Sequence, residues 1–200
     1  MKKITLLLLI ILLVGCNSIS KPETKEGDII FQTSKTNQSK VIQLITNSIY
    51  SHVGIICKVN GMLCVLEAVQ PVKVTPLNKW INNGVNSKYT IMRYNNNLSQ
   101  TQKKNMVDIG KKYIGLNYDL QFKWDDSKMY CSELVWKIFN NGAGVKLCEV
   151  KTFNDFNLDN EMTKNLIKKR YPNGFPKNTK VVTPSQLSES NLLTTIYTNY

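Results

Sequence analysis

Three residue types spread along this 200-residue chain can be assembled into a hydrolytic site: Cys131 at the start of a helical pattern, the single histidine His52 in an apolar β-branched run, and Glu67 in the next such run. A thiolate is a strong nucleophile. An imidazole beside it takes its proton and returns one to a leaving group, and a carboxylate behind the ring holds the tautomer and stabilises the charged form. The expected roles are Cys131 as nucleophile, His52 as base and Glu67 as orienting carboxylate. With one histidine and no paired Cys-x-x-Cys or Cys/His spacing, these residue types are not arranged as a zinc site, and no metal is expected.

The elements that must position this trio begin with a hairpin. His52 to Val59 and Met62 to Val69 are apolar runs joined by Asn60-Gly61, a pair suited to the positive φ angles of a type I′ turn. With a two-residue turn, Val59 faces Met62, Cys57 faces Cys64, Gly54 faces Glu67 and His52 faces Val69. Side chains alternate along a strand, so His52, Gly54, Glu67 and Val69 share one face. His52 and Glu67 are then diagonal neighbours, with Cα atoms roughly 7–8 Å apart. A three-residue loop would reverse the parity and separate them. On the other face Cys57 and Cys64 come within disulfide range, although two buried thiols are the expectation.

Cys131 precedes Leu134, Val135 and Ile138 by three, four and seven residues, so it continues their apolar stripe toward the core. It also lies in the first helical turn, where free amide protons and the dipole favour a thiolate. A helix from about Met129 to Asn140, docked on the His52 face, would oppose thiol to imidazole. Elsewhere the patterns predict a strand at 27–32, a helix at 39–46, a loop containing Pro76 and Trp80, and a strand at 88–94. A helix capped by Ser99 runs to about Ile114, and a loop spans 118–128. Further helices are expected near 160–170 and 184–189, the latter with the Thr183-Pro184 start signal, before a closing strand at 192–198. This order implies an α+β domain with a largely antiparallel sheet.

The N-terminus reads as an export signal: Lys2 and Lys3, an apolar run from Ile4 to Val14, then Gly15 and Cys16. Leu13-Val14-Gly15-Cys16 resembles the bacterial lipobox, which implies cleavage before Cys16 and acylation of that residue. Residues 1–15 are thus expected as signal peptide, 16–26 as a lipid-anchored tether and 27–200 as a single domain. Removal of the signal leaves 185 residues, and the net charge of +12 becomes +10. The excess of lysine favours anionic surroundings, but no basic run interleaved with aromatics points to nucleic acid. The expected location is the bacterial cell envelope, with an outer-membrane leaning because Asn17, not aspartate, follows Cys16.

Gly115-Leu116-Asn117-Tyr118-Asp119, followed by Tyr130-Cys131-Ser132-Glu133-Leu134-Val135, resembles the nucleophile segment of NlpC-type cell-wall peptidases. Ser51-His52-Val53-Gly54-Ile55 and Leu66-Glu67-Ala68 resemble that superfamily's histidine strands. Here these strands precede the cysteine helix, which is the order of the circularly permuted papain-like amidases called YaeF/YiiX-like. The likeness continues to Thr183-Pro184-Ser185. It implies a permuted papain-like fold, no cofactor, and a cysteine, histidine and polar third residue at Cys131, His52 and Glu67. It implies substrate-side roles for Tyr118 and, more weakly, Asp119 and Ser132, with the Cys131 amide as an oxyanion donor.

The reading that follows is thiol-dependent hydrolysis of exported peptide or peptidoglycan-derived amides. A lipid acyl hydrolase or acyltransferase, and a non-catalytic ligand-binding lipoprotein, are the alternatives. The expected partners are a small substrate of these kinds and, through Cys16, a membrane.

Overall fold

The structure, a computed structural model, describes residues 23–200. The expected signal segment, Cys16 and most of the tether lie outside these residues. No helix among the described residues is long and apolar enough to cross a membrane.

Six antiparallel strands form the main sheet in the order β4-β3-β2-β1-β5-β8. They are β1 (Ile29–Gln32), β2 (His52–Val59), β3 (Met62–Glu67), β4 (Lys73–Pro76), β5 (Thr90–Tyr94) and β8 (Leu193–Thr198). Short strands β6 (Lys151–Thr152) and β7 (Lys180–Val181) pair separately. The helices are α1 (Asn37–Thr46), α2 (Leu77–Asn83), α3 (Gln100–Tyr113), α4 (Cys131–Ile138), α5 (Glu161–Arg170) and α6 (Pro184–Ser188). The domain is therefore α+β, as the patterning predicted.

The β2–β3 register is the predicted one. Val59 faces Met62 and Cys57 faces Cys64, while Asn60 and Gly61 take φ of 51° and 79°. A two-residue turn of this kind is compatible with the right-handed twist of the strands it joins, which is why the pair fixes parity. Cys57 and Cys64 remain free thiols.

Two departures from the sequence expectation matter for the site. The segment read as a loop around Pro76 and Trp80 contains both β4 and α2. Pro76 belongs to β4 and directly precedes α2, on an edge strand where its missing N–H costs no central ladder bond. The second departure concerns the cysteine helix, which docks on the face opposite His52. Leu134, Val135 and Cys131 pack with Val53, Ile55 and Leu66, whereas Ile56, Val65 and Trp80 form a separate cluster on the His52 side.

All eight residues of α4 are buried. After Ile138 the helix widens into a π-turn over Phe139–Ala143, where Gly142 meets α3 so closely that a Cβ would sit 2.6 Å from Met106 Cα. A helix confined on every side presents its first turn to a fixed point of the sheet.

Candidate active site

That fixed point is the start of β2. His52 is the strand's first residue and Cys131 the helix's first, so the two meet around the end of the sheet although helix and imidazole lie on opposite faces. The thiol neighbours the His52 ring and the backbone amides of Val53 and Ser132, each of which favours its ionised form. Val53 is the next residue along β2, so one strand end supplies both the imidazole and an amide to the sulfur. Cys131 is 2% and His52 7% exposed, so both act in a medium that strengthens their mutual attraction.

On the far side of the ring, His52 Nε2 donates to Glu67 Oε2 at 2.6 Å. This commitment leaves Nδ1 as the nitrogen for Cys131. Gly54 lets β2 and β3 approach closely beside Glu67: a Cβ there would lie 2.4 Å from Val65 Cγ1 and 2.9 Å from Leu66 O, while Glu67 Cβ stands at an ordinary 3.5 Å. Thr75 Oγ1 of β4 donates to the second carboxylate oxygen at 2.6 Å. Trp80 of α2 stacks on the imidazole with centroids 5.7 Å apart. Neither Thr75 nor Trp80 could be assigned from sequence, because both lie in the stretch read as a loop.

The electrostatics follow from these contacts. Burial alone would depress the His52 pKa, but hydrogen bonds to Cys131 and Glu67, and their charges, hold it up at about 10. Burial likewise opposes ionisation of Cys131, yet the His52 hydrogen bond and charge and the two amides bring its thiol below the ordinary value. Burial works against Glu67 too, and the bonds from His52 and Thr75 keep its carboxyl low. The direction throughout is toward a thiolate–imidazolium–carboxylate row. By contrast, burial pushes the thiol of Cys57 up to about 11 and that of Cys148 up to about 12.

Of the other sequence-predicted positions, Tyr118 reaches the site: its hydroxyl neighbours the Cys131 thiol, whose charge opposes its ionisation. Ser132 turns its hydroxyl away, donating to Val182 O at 2.8 Å, and offers only its amide. Asp119 is buried and its carboxylate accepts from the amides of Gln121 and Lys123, which shapes the 118–128 loop. The structure does not bring that carboxylate to the thiol.

Two concavities meet at this centre. A cleft of ≈ 710 Å³ is lined by Gln32, Ser34, Gln38, His52, Glu67 and Tyr118. A much smaller apolar chamber of ≈ 60 Å³ adjoins Cys131 between Ile42, Ile45, Phe122, Phe153 and Pro184.

A model of the permuted papain-like amidase enzymes, YaeF/YiiX, C92 family, matches residues 23–197. The uncharacterized protein YiiX of Escherichia coli K12 is 39% identical over 191 residues, covering 95% of this chain and 94% of its own length. The crystal structure of the metalloprotein YiiX from Escherichia coli O157:H7 superposes with a TM-score of 0.85 at 40% identity, covering 88% of this chain and 98% of that one.

Proposed function

The chain belongs to the permuted papain-like amidase family, a family of cysteine peptidases and amidases, and from that premise we propose that Cys131, His52 and Glu67 carry thiol-dependent hydrolysis of an amide. The observation that carries the reading is the 2.6 Å bond from His52 Nε2 to Glu67, which turns the other ring nitrogen to the Cys131 thiol. The thiolate attacks the carbonyl carbon and a tetrahedral oxyanion forms. The carbon–nitrogen bond breaks as His52 gives its proton to the leaving amine. Water, losing a proton to His52, then cleaves the thioester and restores the thiol. The Cys131 amide and the Tyr118 hydroxyl are the oxyanion donors in this scheme.

Each step of this scheme uses the chain's own side chains. The thiol, imidazole and carboxylate that come together at the site are engaged with one another. The only imidazole is already shared between a carboxylate and a thiol, so this donor set does not fit a resident ion.

For substrate, the export signal and lipobox at Cys16 favour envelope peptides, including peptidoglycan stem peptides, met by a protein tethered at a membrane. The apolar chamber beside Cys131 favours a second reading, in which an acyl ester of a lipid is cleaved or its acyl group transferred. Incubating the full chain with muropeptides and, separately, with phospholipid vesicles, then analysing products by mass spectrometry, separates the two. New peptide fragments absent with Cys131→Ala support the amidase; released fatty acid without peptide cleavage supports the lipid reading. Turnover undiminished in Cys131→Ala would sink both.

A further inference from the structure

Arg170, the last residue of α5, lies far from the trio in sequence and touches none of it. Its Nη2 donates to Gln38 Oε1 of α1 at 2.7 Å, and its guanidinium lies over the Phe122 ring at 5.6 Å. Gln38 Nε2 in turn donates to the Tyr118 hydroxyl at 3.4 Å. The hydroxyl also neighbours the Cys131 thiol, whose charge opposes its ionisation. A chain of polar contacts therefore runs from α5 through α1 to the sulfur.

The order of donors along this chain is forced by chemistry. A guanidinium has five N–H groups and no acceptor, so the Gln38 carboxamide must turn its oxygen to Arg170 and its NH₂ to Tyr118. The tyrosine oxygen then accepts from Gln38, which leaves its one proton for the sulfur. A long bond of 3.4 Å adds little energy, but it biases a rotor that has few other partners. The backbone around it is held as well: Gln121 Nε2 donates to Arg170 O, and the Tyr171 hydroxyl donates to Gln121 O.

We propose that Gln38 and Arg170 are positioning residues that fix the direction of the Tyr118 O–H, aiming its proton at the Cys131 thiolate and then at the oxyanion that inherits the charge. This rests on the thiol-hydrolase reading above. It assigns function to two side chains 132 residues apart that no local motif connects. The direction in which the thiolate acts on Tyr118 agrees with a donating hydroxyl, since the negative sulfur opposes its ionisation.

The test is the pH profile of iodoacetamide alkylation of Cys131 in the full chain, followed by mass spectrometry, with thermal melts alongside. In Gln38→Glu the carboxylate accepts from both Arg170 and Tyr118, drawing the proton away from sulfur. The expected result is about tenfold slower alkylation on the acid side, the scale of one charge-assisted hydrogen bond, matching Tyr118→Phe while the melt holds. The double variant Gln38→Glu/Tyr118→Phe should be no slower than Tyr118→Phe alone. Arg170→Met, which frees the amide to rotate, should slow alkylation in the parent but not in the Tyr118→Phe background. A wild-type profile in Gln38→Glu, or further slowing in the double variant, overturns the proposal, because the effect would then be absent or a direct action of charge. The hydrolase reading fails separately, if His52→Ala leaves the Cys131 profile unchanged.

Discussion

The imidazole of His52 lies almost parallel to the indole of Trp80, with ring planes 24° apart and centroids separated by 5.7 Å. Trp80 is wholly buried, so this face of the imidazole is covered by an aromatic surface. Its Nε1 is buried without a hydrogen-bond partner, so the indole contributes by packing and not through its N–H. Trp80→Ala is expected to cost about 3–5 kcal/mol in a urea titration, the range for deleting a buried aromatic. Trp80→Phe, which keeps an aromatic surface and removes an unsatisfied donor, should cost clearly less. Equal losses in the two variants would show that stacking is not the relevant contact.

Glu67→Gln separates geometry from charge. The amide oxygen still accepts from His52 Nε2, so the ring keeps its place, while the stability contributed by the ionised carboxylate is lost and the melting temperature at neutral pH should fall. Without the negative charge the imidazolium is less favoured and gives up its proton at lower pH. An adjacent opposite charge moves a pKa by about 1–3 units, so the alkaline fall of kcat/KM, expected through about 10 in the wild type, should move down to about 7–9. An unmoved alkaline limb would remove Glu67 from the proposed mechanism.

The pH dependence of kcat/KM has a defined sign. Attack needs the thiolate and expulsion of the amine needs the imidazolium, so the competent form lies between the two ionisations. With the Cys131 pKa lowered and that of His52 held at about 10, activity should stay level through neutrality and fall as pH rises through about 10. A fall centred near 6.5, the ordinary histidine value, would contradict the ion-pair arrangement. Stability carries the opposite limb. Glu67, kept below its unfolded pKa by His52 and Thr75, contributes stability above that unfolded value, and this is lost as pH falls through the folded one.

Gly54→Ala tests the close approach of β2 and β3 that sets Glu67 beside His52. The new methyl would stand 2.4 Å from Val65 Cγ1 and 2.9 Å from Leu66 O, of which the second is backbone and cannot move aside cheaply. Overpacking of this kind costs about 1–3 kcal/mol, readable as a lowered melting temperature. Because β3 must shift to relieve it, selective alkylation of Cys131 over Cys57 and Cys148 should also weaken. An alanine variant with wild-type stability would show that the β2–β3 spacing is looser than the contacts imply.

The sequence by itself determined what depends on local chemistry and period. Asn60-Gly61 set the parity of the hairpin, because a tight turn leaves no freedom in register, and that parity put His52 and Glu67 on one face. Ser99, and Thr183 with Pro184, marked helix starts through local capping signals, and the structure adds Gln102 as the residue that completes the first cap. The stripe of α4 showed that Cys131 points inward, and the resemblance carried the order of the motifs. The tertiary structure alone decided which sheet face that helix covers. Both faces of β2 are apolar, since Val53 and Ile55 look one way and Ile56 the other, so periodicity could not choose between them. It also decided which residues support the trio. Thr75 and Trp80 lay in a stretch whose proline masked its strand and helix, and Gln38 and Arg170 become neighbours only when α1 packs on α5. Such partners are set by the closure of long loops, and no short window of sequence carries that information.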